Sequence, residues 1–568
     1  MKILKLDMKN LTVKEDEAEK YKKIGGRALT SKVIHDEVPA TCHPLGPKNK
    51  LVFATGLLTG SGASSADRYS IGAKSPLTGG IKESNAGGIS GLALGKLGIR
   101  ALVFENIRDD LKIVHLSTSG VKFDDAEPIL GKDLSEAATW LRAKYGKHVA
   151  VWLIGVAGEQ KMNLAAIAGQ DKDGHPTRYN GRGGLGAVAG AKGIKAIVLD
   201  TSGVGKNRPE DRDEFKAALK QYHSWLMEAP ATSKVFPELG TAVLVESTNS
   251  LGALPTRNFS IGTMEGYKNI SGETLRQTIL DRGGEGTPTH ACMPGCIIRC
   301  SNVFADEEGN RITGPLEYEN IGLLGSNLDI SNLDEIAELN RLCNEYGIDT
   351  IETGGALGVL MAQNVISFGD AEGAITALKE VKEGTPLGKI IGSGAEVIGK
   401  IYGEPHVPTA KGQTMPAYDP RAIKGLGVTY ATSPQGADHT AGQTIRAQIN
   451  HHSPEGQVEA SKNAQTVNTI WDNLGMCMFS AGAVQGRFDK IGELVTAYTG
   501  EKITGDDIVN SAKETLKIEH GFNKKAGFTK ANDKLADYFY EEENKASNTV
   551  FDVPQEELET VGIERNDL

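Results

Sequence analysis

From Leu4 to Met8 the chain alternates apolar and charged residues, the period of a half-buried strand. Four apolar runs, Leu51–Ala54, Ala101–Phe104, Val149–Ile154 and Lys195–Leu199, are short and bounded by polar or glycine-rich stretches, so they also read as strands. After the polar segment Thr201–Pro209 the texture changes. Helix is expected from about Asp213, and apolar residues recur at helical spacing over Leu333–Tyr346 and Ile351–Val365. Three prolines between Pro405 and Pro416 mark a second break; beyond it the pattern is again helical and ends in an acidic tail expected at the periphery. The pattern predicts an α/β domain over residues 1–205 followed by two mainly helical domains, 206–412 and 413–568.

The length of 568 residues fits such a division, since single cores rarely grow beyond ~250–300 residues. A balance of 62 basic against 73 acidic residues, net −11, argues against nucleic acid or an anionic membrane as partner. The N-terminus lacks the continuous apolar run of a signal peptide, and no window reaches the ~18 apolar residues of a membrane helix, so the cytoplasm is the expected compartment. The 69 glycines exceed the average of ~7% and gather in mixed segments such as Ser84–Gly88 and Gly181–Gly186, where backbone amides can approach a ligand closely.

Three of the six cysteines, Cys292, Cys296 and Cys300, fall in one short run, and Cys477 lies far downstream. In a reducing compartment, closely spaced thiolates suit a soft metal centre, above all an iron–sulfur cluster with four cysteine ligands. A radical-SAM motif needs gaps of three and then two residues; here both gaps are three. A structural zinc site of four cysteines is the remaining alternative. Gly184-Leu185-Gly186 is not a dinucleotide loop, because the polar segment Pro176–Gly181 precedes it instead of a strand. There is also an internal echo: Asn344-Glu345-Tyr346-Gly347-Ile348-Asp349 and Asp472-Asn473-Leu474-Gly475-Met476-Cys477 share one form, Asn/Asp-x-x-Gly-apolar-Asp/Cys.

Taken together, the segments Leu45–Leu51, Ser75–Gly79, Asn85–Gly88, Ile154–Glu159, Arg182–Ala187, Leu254–Asn258, Tyr418–Arg421, Tyr430–Ser433 and Gly436–His439 resemble, in order, the tungsten-dependent aldehyde:ferredoxin oxidoreductase family. The likeness covers nearly the whole chain. It implies an N-terminal base of two β-sheets under a tungsten or molybdenum ion held by two pyranopterins, closed over by two helical domains. Arg68, Asn85, Gly87, Arg182 and Gly183 match the base segments that hold the pterins, and a Mg²⁺ bridging the pterin phosphates through backbone carbonyls near Asn85 and Gly183 is implied as well. The two echoing turns match the pterin-binding repeats, which brings in Asn344, Gly347, Asp349, Asp472, Gly475 and Met476; Asp438 is placed at the same cofactor. Asn344 stands where the family more often has Asp.

Cys292, Cys296, Cys300 and Cys477 match the ligands of a [4Fe–4S] cluster, with three residues between the first pair where two are usual. Glu317 and His439 match the active-site acid and histidine. Glu335-Ile336-Ala337-Glu338 lacks the histidine that would complete a subunit-bridging iron site, so none is expected. Cys42 and Cys343 are expected to be neutral thiols. The implied activity is oxidation of an aldehyde to a carboxylic acid in anaerobic metabolism, with electrons passing to ferredoxin or an iron–sulfur partner subunit, in a homodimer or hetero-oligomer. A second reading within the family is the catalytic subunit of a larger complex acting on an aromatic thioester.

Overall fold

The computed structural model describes residues 1–205 and 207–562. The expected first domain boundary falls at Lys206, outside the described residues, as do the last six residues of the acidic tail. The N-terminal part is two six-stranded sheets and the rest is mainly helical, the fold class expected.

The two sheets repeat one topology. The first contains β1 (Lys2–Asp7), β2 (Thr12–Glu17), β3 (Leu51–Thr55), β4 (Tyr69–Lys74), β5 (Ile81–Ala86) and β6 (Ile99–Glu105), in the order β2-β1-β6-β3-β4-β5. The second contains β7 (Lys112–Ser117), β8 (Gly120–Asp125), β9 (Ala150–Ile154), β10 (Ile167–Gly169), β11 (Arg178–Asn180) and β12 (Ile194–Leu199), in the order β8-β7-β12-β9-β10-β11. In each, the first strand pairs parallel with the last and all other pairings are antiparallel. Even the register shift at the start of the parallel pair recurs. The outer faces are covered equivalently, by helix Gly26–Glu37 on the first sheet and Leu134–Tyr145 on the second.

The inner faces pack on each other through a shared core. Its centre is Phe53 in mid-β3 against Trp152 in mid-β9, ring centroids 4.8 Å apart, which are the same position in the two repeats. Large aromatic surface supplies most of such a core's burial.

The helical part shares one large apolar core, to which residues on both sides of 413 contribute, among them Leu357, Ile398, Leu426 and Phe551. The described end of the chain is not peripheral, contrary to expectation. Leu558 and Val561, three apart, turn into that core while Glu556, Glu557 and Glu559 face out. Among the described residues no helix is long and apolar enough to cross a membrane.

Candidate functional site

The two echoing turns occupy equivalent places. Helix Leu333–Tyr346 stops at Gly347 (φ 69°) and helix Gln457–Leu474 at Gly475 (φ 76°), each a left-handed cap that glycine adopts without strain. Each turn docks on one sheet by the same two backbone bonds. Ala166 N–H donates to Gly347 O (2.8 Å) and Asp349 N–H to Leu164 O (2.9 Å); Arg68 N–H donates to Gly475 O (3.0 Å) and Cys477 N–H to Ser65 O (2.8 Å). Gly155 after β9 and Gly56 after β3 sit beneath the turns, where any side chain would overlap the turn backbone. The echo in the sequence is therefore a repeat in space, and Asp349 and Cys477 are its corresponding last residues.

These two ends differ in chemistry. Asp349 caps helix Thr350–Ala362 and lies 3.0 Å from Arg182 Nε, but the two are poorly aligned and neither Arg182 Nε nor Nη1 nor Asp349 Oδ2 makes a hydrogen bond. Burial pushes the Asp349 carboxyl up, opposed by Arg182. Asp438, also near Arg182, receives Lys82 Nζ at 2.6 Å; despite its burial, Lys82 and Arg182 hold it well below the usual carboxylate range.

Cys477, by contrast, faces the other cysteines. Cys292, Cys296 and Cys300 lie in the loop between strands Thr287–His290 and Ser301–Ala305. Ser65, whose carbonyl fixes Cys477, places its hydroxyl 3.3 Å from Cys296 Sγ, and Ser64 Oγ accepts from Ile297 N–H at 2.9 Å. Burial pushes the Cys300 and Cys477 thiols up. Among the described residues no three His, Cys, Asp or Glu side chains converge closely enough to share one ion. Cys292, Cys300 and Cys477 line one cavity, and Cys296 meets the Ser65 hydroxyl beside them. Cys343 and Cys42 stand apart, and burial pushes the Cys343 thiol up to about 12.

Between the sheets and the helices lies a cavity of about 780 Å³. Arg68, Asn85, Gly87, Arg182, Asn344, Asp349, Asp438, Glu317, His439, Cys292, Cys300 and Cys477 all line it. Its volume lies within the ~300–1,000 Å³ typical of ligand sites. Arg68 Nε donates to Asn85 Oδ1 and Nη2 to Asn85 O (3.1 Å). A Cβ on Gly87 would lie 2.8 Å from Met293 Cε and 3.3 Å from Cys292 Sγ, so the glycine lets the sheet edge meet the cysteine loop. Gly183 O accepts from Ser75 Oγ at 2.7 Å.

Gly183, Gly347, Asp472, Gly475, Met476 and Cys296 are not on the cavity wall. Asp472 lies 3.4 Å from buried Arg27, and Met476 belongs to a hydrophobic core, so a ligand could meet that turn only through its backbone.

The structure separates two carboxyls that the sequence places two residues apart. Glu317 caps helix Tyr318–Leu324, accepts from Thr241 Oγ1 and faces the cysteine side; its carboxyl is pushed up by burial, against Thr241 and Arg178. Glu319 is the one that meets His439, with Oε1 3.5 Å from Nε2. Its Oε2 accepts Ala417 N–H (2.8 Å), while Oε1 is buried without a hydrogen bond. Burial pushes the Glu319 carboxyl up, opposed by His439. Tyr418 completes the group, its ring 5.9 Å from the imidazole. Arg178, whose Nη2 donates to Ser301 Oγ (2.8 Å), lines the cavity beside the cysteines. Glu319, Tyr418 and Arg178 were not singled out in the sequence; Tyr418 opens one of the segments quoted above, and Glu319 stands two residues after Glu317.

Comparison with known proteins agrees along the length of the chain. The family model described as "Aldehyde ferredoxin oxidoreductase, N-terminal domain" matches residues 3–201, and "Aldehyde ferredoxin oxidoreductase, domains 2 & 3" matches 217–561. The tungsten-containing aldehyde ferredoxin oxidoreductase of Pyrococcus furiosus is 32% identical over 562 residues, covering 94% of this chain and 90% of its own. That of Thermococcus kodakarensis is 32% identical over 569 residues, with coverage of 94% and 90%. Among solved structures, the active site complex BamBC of benzoyl coenzyme A reductase with 1,5-dienoyl-CoA superposes with a TM-score of 0.82 at 18% identity, covering 98% of this chain and 93% of that one, a likeness of fold. With both domain models matched and relatives aligned nearly end to end, the chain belongs to the aldehyde ferredoxin oxidoreductase family.

Proposed function

We propose that this protein oxidises an aldehyde, with water, to a carboxylic acid and passes two electrons singly to ferredoxin or an iron–sulfur partner subunit. One observation carries the reading. Cys292 and Cys300 from one segment and Cys477 from a distant one line one large cavity, with Cys296 beside Ser65 just behind its wall, and an acid–histidine pair stands within the same cavity. In this reading residues 1–205 form the base, 206–412 bring three cysteines and 413–568 bring the fourth. Cys292, Cys296, Cys300 and Cys477 would hold a [4Fe–4S] cluster. Arg68, Asn85, Gly87 and Arg182 would hold two pyranopterins, and the backbone carbonyls near Asn85 and Gly183 would hold the Mg²⁺ that the resemblance implies.

The residues fit these groups. Arg182 keeps two buried nitrogens without hydrogen bonds, donors suited to phosphate, and the glycines give the close backbone approach a flat ligand needs. When bound, the tungsten pterin would supply the two-electron acceptor at low potential. The chain's own residues then handle the proton and the geometry. His439 donates to the carbonyl oxygen of the aldehyde and polarises it, and Glu319, held by Ala417 N–H, takes the proton released as water adds. We assign the acid–base role to Glu319 rather than Glu317, which faces the cysteines. The family's reducing chemistry suits a compartment that keeps thiols reduced, such as the cytoplasm.

The test is dye reduction by anaerobically purified protein. Aldehydes should reduce a viologen, with tungsten and iron both present. Metal-loaded protein that reduces no dye with any aldehyde would refute the reading.

A further inference from the structure

Glu319 and His439 are half-buried in the cavity, and along helix Gln457–Leu474 its wall includes the exposed Asn463. That helix turns Ala460, Asn463, Ala464 and Val467 to the cavity, the i, i+3, i+4, i+7 stripe of one face. Across from this mostly apolar wall the only cation at the rim among the described residues is Arg446, which is exposed.

Arg446 differs from the other arginines lining the cavity. Arg68 is bound to Asn85, Arg178 to Ser301 and Arg182 is beside Asp349. The Arg446 guanidinium has no hydrogen bond and no acidic partner among the described residues. It lies instead over the Phe236 ring, 4.8 Å from the centroid, and Phe236 packs on Phe479 with centroids 4.6 Å apart. This stack holds the charge at a fixed place and leaves its donors without a hydrogen-bonded acceptor among the described residues. A planar fork of free donors on the exposed part of the cavity wall is a receptor for a planar anion, above all a carboxylate.

We infer that the substrate is an aldehyde with a second, anionic end: its aldehyde carbon reaches Glu319 and His439 while its carboxylate is held at the rim by Arg446. The inference rests on the aldehyde-oxidising reading above. The apolar wall between the two ends suits a short methylene chain, and the family chemistry would convert such a molecule to a dicarboxylate.

The experiment compares succinic semialdehyde with butanal, a neutral aldehyde of the same length, on holoenzyme carrying Arg446 or the substitutions Arg446→Gln and Arg446→Lys. Charge-assisted hydrogen bonds predict that Arg446→Gln raises KM for the semialdehyde roughly tenfold to hundredfold, with kcat little changed and butanal kinetics unaffected. Arg446→Lys should recover part of the loss. Calorimetric binding of succinate, which needs no turnover, should weaken by a similar factor. Equal KM values for the two aldehydes in the wild type, or an equal effect of Arg446→Gln on both, would overturn the inference while leaving aldehyde oxidation standing. If neither aldehyde is oxidised but a coenzyme A thioester is reduced, the aldehyde reading itself falls and this inference with it.

Discussion

Replacing Gly475 with alanine probes how the fold delivers Cys477. Gly475 is left-handed at φ 76°, where a Cβ costs about 1–2 kcal/mol. The added carbon would lie 2.6 Å from Thr59 Oγ1 and 2.9 Å from both Arg68 O and Gly56 Cα, well inside the 3.4 Å at which ordinary contact begins. Two of these neighbours are backbone of the β3–β4 connection and cannot swing away, so overpacking adds about 1–3 kcal/mol. The total cost is on the order of 2–5 kcal/mol. Gly486→Ala is the control: its φ is 74°, but nothing lies within 4 Å of the added carbon, so it carries the strain without the crowding. Denaturant unfolding should therefore separate the two variants. Because Cys477 follows two residues later, Gly475→Ala should also lower iron content. The equivalent Gly347→Ala, whose Cβ would meet Gly155 N at 2.7 Å, should destabilise comparably yet spare iron. A Gly475→Ala protein with full iron and the midpoint of Gly486→Ala would refute the reasoning.

Other outcomes follow from the site. Glu319→Gln should lower kcat roughly a hundredfold or more while metal content is kept, and should remove the pH-profile limb due to its raised carboxyl. Glu317→Gln should instead shift the reduction midpoint of the iron signal in a redox titration, since its carboxyl faces Cys300; an equal loss of kcat in both variants would show the roles to be shared. Asp67 is buried, and burial lifts its carboxyl to about 6 from 3.8 against the bond from Gly60 N–H. Between about pH 4 and pH 6 the native state keeps a proton that the unfolded chain has released, so stability falls as pH rises through that window, by roughly 3 kcal/mol. Asp67→Asn should flatten that slope in unfolding curves taken across the window; an unchanged slope would contradict the assignment.

Much of the site was legible because its signals are local. The cysteine run, the two glycine-capped turns and the glycine-rich segments each announce their chemistry within a few residues. The four strands read from apolar runs and the one read from alternation all form, because each is buried on both faces or alternates cleanly. β2, β4, β5, β7, β8, β10 and β11 were not read: most are polar, glycine-containing or only three residues long, and pairing with neighbours, not composition, makes them strands. The duplication was hidden for a related reason. Phe53 and Trp152 fill the same place without sharing a sequence pattern, since a core asks for volume rather than identity. The choice between Glu317 and Glu319 was invisible for a geometric one. Glu317 is the extended cap residue and Glu319 lies inside the helix, so their side chains leave the backbone in different directions and Glu319 is the one that meets His439.

The account rests most heavily on Cys477 joining the three clustered cysteines around one inorganic centre. Iron quantitation and low-temperature electron paramagnetic resonance of the reduced protein, with and without Cys477→Ser, test this directly. The wild type should hold about four iron atoms per chain and show a reduced-cluster signal. In Cys477→Ser that signal should change or vanish and iron should fall, although the cysteine run itself is untouched. An unchanged signal with full iron in the variant would contradict the account.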